Sequence, residues 1–256
     1  MTLSPERFAA LSALVFVAGV VDSLAGGGGL ITLPAYLAVG LPPGLLLGTN
    51  KLASTLGTTV SVARYARGLR LPLRPMLPAA AAAMLGAWFG ARLAARLSPQ
   101  WIRPLLLLAL PAVAWAVLSE HRFKEDDSGR GTAPRVLSAR TAAVALPVGA
   151  YDGFFGPGTG TFLALAFSRF CRFSLLRATA WAKAVNLVSN AAALAAFLAA
   201  GTVDLRVGLA MGLVSVAGHW VGSHLGLRRG AAAIRPVIAL VCAGLFLKLL
   251  FDTFKV

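Results

Sequence analysis

Residues 22–51, DSLAGGGGLITLPAYLAVGLPPGLLLGTNK, set one acid (Asp22), four consecutive glycines (Gly26, Gly27, Gly28 and Gly29) and one lysine (Lys51) inside an otherwise apolar run. The pattern returns half a chain later over residues 152–183, DGFFGPGTGTFLALAFSRFCRFSLLRATAWAK, with Asp152, a second glycine-rich turn and Lys183. Two glycine-broken stretches of this kind, each holding one acid and one lysine, are how many secondary transporters build a binding site between structural repeats.

The composition makes lipid the solvent for most of the chain. Of 256 residues, 58% are hydrophobic and only 13% charged, with a mean hydropathy of +0.78, more apolar surface than a soluble core of this size can bury. A net charge of +15 could point to nucleic acid. Here, however, the bases are arginines scattered at the ends of apolar runs, with no basic face interleaved with aromatics, so nucleic acid is set aside as a partner. Loop orientation and anionic lipid headgroups account for them better. Cys171 and Cys242 fit no metal spacing and read as small apolar helix residues. The N-terminus lacks a charged region and small-residue cleavage site ahead of a mature domain, so the chain from Phe8 onward reads as membrane domain.

Apolar segments run over Phe8–Ala25, Leu30–Val39, Leu45–Tyr65, Met76–Leu97 and Trp101–Leu118. A polar stretch, 119–140, has the composition of a solvated linker. The second half repeats the order with Thr141–Phe155, Thr161–Phe167, Leu175–Ala200, Val207–Leu227 and Ile234–Phe251. The chain therefore divides into membrane repeat 1 (1–118), a cytoplasmic linker (119–140) and membrane repeat 2 (141–256). At a shift of 130 residues Asp22 meets Asp152, Gly26 meets Gly156 and Gly28 meets Gly158. At 132, Lys51 meets Lys183, Gly86-Ala-Trp88-Phe-Gly90 meets Gly218-His-Trp220-Val-Gly222, and Ile102-Arg103-Pro104 meets Ile234-Arg235-Pro236.

A full span needs about 20 residues, and the second segment of each half falls well short. Two short arms joined through glycines describe a re-entrant hairpin, whose irregular backbone is tolerable only where protein or a watery cavity surrounds it. With three ordinary spans after it, each repeat crosses an odd number of times and the second repeat is inverted. Placing both termini outside puts fifteen bases in cytoplasmic segments and six outside, the expected sign of the bias. The predicted fold is an all-α polytopic membrane protein of two inverted repeats, each a glycine-tipped hairpin plus three spans. A parallel four-plus-four arrangement stays open, because it needs only one hairpin arm to cross.

Asp22 and Asp152 are the acids lying well inside apolar segments, and Lys51 and Lys183 are the lysines near the start of long apolar helices. Intramembrane charge is expensive, so its default reading is functional. The alternative is that each acid pairs with a lysine or caps a glycine turn simply to hold a hairpin. Gly26–Gly29 and Gly156-Pro-Gly158-Thr159-Gly160 each open a short helix, where bare backbone N–H groups can approach an anion at the positive end of the helix dipole. Thr49, Asn50, Lys51 and Ser54, and likewise Thr179, Lys183, Asn186 and Asn190, are expected to share helix faces offering donors and positive charge to an oxyanion. Interhelical hydrogen bonding is the alternative for these faces.

His219 and His224 read as packing histidines, since no further ligand sits at metal spacing. Ser23 and Ser54 have no evident His/Asp partners, so nucleophilic catalysis is unsupported, and neither an enzyme nor a metal or other cofactor is expected. Gly86/Gly90 and Gly218/Gly222 keep a small-xxx-small packing spacing that also leaves room for a homodimer.

With D-S-L-A-G-G-G-G-L-I-T-L-P at Asp22–Pro34, L-G-T-N-K-L at Leu47–Leu52 and A-K-A-V-N-L-V-S-N at Ala182–Asn190, the chain resembles the TauE/SafE family of sulfite and organosulfonate exporters over nearly its whole length. The resemblance implies movement of sulfur-containing anions across the cytoplasmic membrane, driven by an ion gradient, with a proton as one candidate. An anion channel, or a carrier of another small anion, would use the same donors. Pro157, Thr159 and Trp181 depart from the first repeat, so the half-sites are expected to contribute unequally.

Overall fold

The computed structural model describes residues 4–69, 71, 76–98, 101, 131–230, 232–234 and 236–237. Their regular structure is helical, with no strand among the described residues. Among the described residues, the helices with full bounds are, in chain order, α1 (Pro5–Ala25), α2 (Gly29–Ala38), α3 (Pro43–Leu69), α4 (Leu77–Ala95), α5 (Pro134–Phe154), α6 (Thr159–Cys171), α7 (Leu175–Ala199) and α8 (Leu205–Arg229). The segments anticipated over 102–118 and 238–251, and most of the linker, lie outside the described residues.

Four of these helices, α1, α4, α7 and α8, are long and apolar enough to cross a bilayer. Helix α3 is longer, at 27 residues, but carries Thr49, Asn50, Lys51, Ser54, Thr55, Thr58, Thr59 and Ser61. That polar content lowers its hydropathy because several of these groups serve the protein interior. The fold is thus a multi-pass membrane bundle. Its lipid-facing side is visible in large apolar residues left uncovered, such as Phe89 (67% exposed) and Leu213 (73% exposed).

Helix ends follow local rules. Ser4 caps α1 by accepting from Arg7 N, and Asp204 caps α8 by accepting from Val207 N. Helix α5 begins at Pro134, seven residues before the segment expected from hydropathy. Proline at the first turn lets a helix start in the polar sequence PRVLSAR, where apolar periodicity gives no signal. Helices α2 and α6 are short, 10 and 13 residues, as the broken segments implied.

The main packed pairs are α1 with α8, α4 with α5, α3 with α8, α4 with α7 and α3 with α7. Shorter contacts join α1 to α2, α2 to α3, α5 to α6 and α6 to α7. Exchanging α1–α4 for α5–α8 converts this set of pairs into itself. Glycines make the two outer seams close: a Cβ on Gly149 of α5 would lie 2.6 Å from Ala83 O of α4, and one on Gly19 of α1 would lie 3.0 Å from Ser215 O of α8. Gly86, Gly90, Gly218 and Gly222 are all used in these seams. Their small faces therefore pack within the chain, so a homodimer would need another surface.

Candidate functional site

The two glycine turns meet. Helix α1 ends at Gly26 with φ of 78°, and α5 gives way to Gly156 with φ of 93°, a region that residues with a Cβ adopt only under strain. A Cβ on Gly26 would overlap the backbone at Gly160 and Thr161, so the tips touch backbone to backbone. Thr161 Oγ1 donates to Ala25 O at 2.8 Å and ties them together.

Each lysine is paired with the acid of the opposite half. Lys51 Nζ lies 2.7 Å from Asp152 Oδ1 and donates to Asn190 Oδ1 at 2.7 Å. Lys183 Nζ lies 2.9 Å from Asp22 Oδ2. Lys51, Lys183 and Asp152 are almost completely buried, so these are interior ion pairs. Both lysine ends press on the second tip: Cβ atoms added at Gly156 and Gly160 would stand 3.2 and 3.3 Å from the Nζ of Lys51 and Lys183.

The acids differ in their remaining partners. Asp22 Oδ1 accepts from Gly28 N at 3.0 Å, which orients the first tip. Its Oδ2 also lies 3.0 Å from His219 Nε2. Asp152 Oδ2 instead accepts from Ser189 Oγ at 2.7 Å. The amides complete a network, with Asn190 Nδ2 donating to Asn186 Oδ1 at 2.9 Å and Thr32 Oγ1 donating to Asn50 Oδ1 at 2.5 Å. Every buried charge in the cluster thus has a partner, as survival in a low-dielectric interior requires.

A polar cavity of about 20 Å³ lies at this junction, bordered by Asp22, Gly27, Gly29, Asn50, Lys51, Ser54, Asp152, Gly156, Gly158, Thr159, Gly160, Asn186 and Asn190. That is room for about one water molecule and too little for a sulfite or sulfonate group. A larger open groove of about 690 Å³ lies between α5 and α6, largely apolar with Arg140, Arg169 and Arg172 at its rim. It contains none of the acid–lysine pairs.

Most residues singled out in the sequence therefore converge. Gly26 and Gly28 stand just behind the cavity wall, one against the other tip and one on Asp22. Lys183 reaches the wall beside Gly160. Thr49 does not face the cavity: its Oγ1 accepts from Asp204 N at 2.9 Å, at the start of α8. Two residues along a helix turn through roughly 200°, so Thr49 and Lys51 cannot share a face, whereas Asn50, Lys51 and Ser54 can. Thr179 lies one turn before Lys183, outside the cavity lining, with its hydroxyl buried and without a partner.

His219 is the residue that sequence reasoning passed over. It is 2% exposed and bridges Asp22 to the α8 backbone, where Nδ1 lies 2.9 Å from Ser215 O. A usable signal existed: it is a polar side chain among the small residues Ser215, Gly218, Gly222 and Ser223, on the stripe that must pack against α1. His224 lies elsewhere, with its Nδ1 3.0 Å from Arg64 Nη2 and its ring stacked on Trp220.

Comparison with known proteins identifies the family. The family model described as "Sulfite exporter TauE/SafE" matches residues 11–249. A Sinorhizobium "Probable membrane transporter protein ORF9" is 38% identical over 98% of this chain and 95% of its own length. The Escherichia coli K12 "Probable membrane transporter protein YfcA" is 35% identical over 98% and 92%, and a Haemophilus influenzae "Probable membrane transporter protein" is 31% identical over 98% of each. No solved structure matches the chain. With that family model spanning most of its length and relatives above 30% identity across nearly the whole chain, the protein belongs to the TauE/SafE family of membrane transporters.

Proposed function

We propose that this protein is a secondary transporter that exports small sulfur-containing anions, such as sulfite or organosulfonates, across the cytoplasmic membrane. The anion binds near mid-membrane between two inverted repeats, α1–α4 and α5–α8, whose α1/α2 and α5/α6 pairs form re-entrant hairpins, and both termini lie outside. The observation that carries this reading is the crossed pairing of Lys51 with Asp152 and Lys183 with Asp22 around the glycine tips. Two halves clasped by reciprocal charges are held at the seam where alternating access must open.

The closed cavity is compatible with the occluded stage of a carrier, in which neither side has access to the site. For an anion to enter, the tips must part and the anion must compete with the carboxylates for Lys51 and Lys183. Gly27, Gly29, Gly156, Gly158, Thr159 and Gly160 then present backbone N–H groups, and Asn50, Asn186 and Asn190 present amides. Asp22 and Asp152 orient the tips or carry a coupling proton.

The test is thermal stabilisation of the purified protein by sulfite, sulfate, thiosulfate, sulfoacetate, taurine and matched carboxylates at fixed ionic strength. A ligand that binds only the folded state raises stability with the logarithm of its concentration over Kd. Selective stabilisation by sulfite or a sulfonate is expected. Equal stabilisation by every anion, or by none, would overturn the substrate assignment.

A further inference from the structure

We propose that the seam between α3 and α8 is a half-path for a small hydrated anion, leading from the glycine tips to the C-terminal ends of these two helices. At 3.6 residues per turn, Lys51, Ser54, Thr58, Ser61 and Tyr65 fall within about 80° of one another on α3. Lys51 and Ser54 border the tip cavity at the head of this row. The other three residues are completely buried, yet Thr58 Oγ1 and Ser61 Oγ have no hydrogen-bond partner. A hydroxyl on a helix has an acceptor within reach, the carbonyl one turn back. Thr55 and Thr59 use it, donating to Lys51 O at 2.7 Å and to Thr55 O at 2.8 Å. Thr58 and Ser61 leave it unused, and a buried hydroxyl without a partner is costly. Two in one row mark a face that water enters in another state of the protein.

Helix α8 answers this row across the seam with Ser215, His219 and Ser223, one turn apart and all buried. A Cβ on Gly57 of α3 would overlap Ser215 Oγ and the His219 ring, so the two polar rows lie close together. The helices run parallel, since Gly48 lies against Thr202 at one end of the seam and Gly68 against Leu227 at the other. Their last turns therefore share one end, where Arg67, Arg228 and Arg229 set an electropositive mouth. Tyr65 closes the row short of that mouth. Its hydroxyl donates to Ser23 O of α1 at 3.0 Å and fills the space that a Cβ on Gly226 of α8 would take.

The other half carries no such rows. At the shift of 132 residues, Ser61 and Tyr65 become Ala193 and Phe197 on α7, while Ser215, His219 and Ser223 become Ala83, Ala87 and Ala91 on α4. Helix α7 packs on α4 as α3 packs on α8, so the equivalent seam turns apolar beyond Asn190. One polar and one apolar seam give the two faces of the membrane unequal routes to the tips. The topology proposed above puts the polar route on the cytoplasmic side, where an exporter loads, and the assignment of that side rests on that reading.

Cysteine labelling of the purified full chain, in a Cys171→Ala/Cys242→Ala background, tests the path without a transport assay. Two reagents of similar size are compared, anionic methanethiosulfonate ethylsulfonate and its cationic trimethylammonium counterpart, each rate divided by its rate with a free thiol. Thr58→Cys and Ser61→Cys should react and favour the anion by about tenfold or more, because the path runs between Lys51 and a mouth of arginines. Ala193→Cys should stay unreacted, and adding Tyr65→Phe should speed the reaction at Ser61→Cys by loosening the closure. Equal rates at positions 58, 61 and 193, no reaction at 58 and 61, or a preference for the cation would overturn the proposal. Melting is the second check. Hydroxyls without partners give up no hydrogen bond, so Thr58→Val and Ser61→Ala should melt at or above the wild-type temperature. A lower melting temperature in both would make these hydroxyls structural and refute the path. If wild-type protein moves no sulfite in proteoliposomes, the substrate reading fails, and labelling and melting still decide the path.

Discussion

Replacing Lys51 tests the crossed clasp most sharply. Its ammonium lies 2.7 Å from Asp152, and the two side chains are 5% and 2% exposed. Lys51→Gln keeps much of the length but strands a buried carboxylate. Breaking such a pair from one side costs about 3–5 kcal/mol, because the remaining charge has lost its compensation. At roughly 2–4 °C per kcal/mol for a chain of this size, the apparent melting temperature should fall by about 6–20 °C. Asp152→Asn should cost a similar amount by stranding the lysine. The double variant Lys51→Gln/Asp152→Asn removes both charges and should be clearly less damaged than the sum, with a coupling energy above about 1 kcal/mol. Intrinsic fluorescence melts of the purified single and double variants read all of this. Strictly additive effects, or singles that melt with wild type, would refute a buried pair at this position. The same logic makes a single lysine variant a poor probe of anion affinity, and the charge-balanced double variant the cleaner one.

Further consequences concern the tips, the seams and the amide network. Gly26→Ala should lower stability by more than ~2 kcal/mol, combining left-handed backbone strain with overlap on the second tip. Gly201→Ala, with φ of 68° but open space around it, should show only the strain of about 1 kcal/mol in the same melting assay. Gly86→Leu should disrupt the α4–α5 seam and abolish recovery of folded protein on size-exclusion chromatography. Phe89→Leu, on the lipid-facing side of the same helix, should stay within about 0.5 kcal/mol of wild type. Thr32→Val leaves Asn50 Oδ1 without its donor and should cost about 1–3 kcal/mol in thermal denaturation.

The membrane class and the short glycine-opened helices were legible because lipid imposes strong rules on composition and length. Asp22, Lys51, Asp152 and Lys183 were legible for the same reason: charge inside apolar sequence must be explained. Which acid meets which lysine was not, since the repeat relates Asp22 to Asp152 and Lys51 to Lys183 but does not say whether partners lie within or across halves. Thr49 was misplaced by adjacency to Lys51, although a two-residue step turns to the opposite side of the helix. His219 was passed over because it was judged against metal spacing, and its true partner lies 197 residues away on α1. The early start of α5 was hidden because 134–140 is too polar for hydropathy to register and is marked only by Pro134.

The central claim, that crossed lysine–acid pairs around the glycine tips gate the passage of a sulfur anion, is tested most directly by counterflow in proteoliposomes loaded with sulfite. Saturable uptake of radiolabelled sulfite, stimulated by unlabelled sulfite inside and lost in the Lys51→Gln/Asp152→Asn variant although it folds, is the predicted result. Uptake that does not saturate, or counterflow that survives in that variant, would contradict the account.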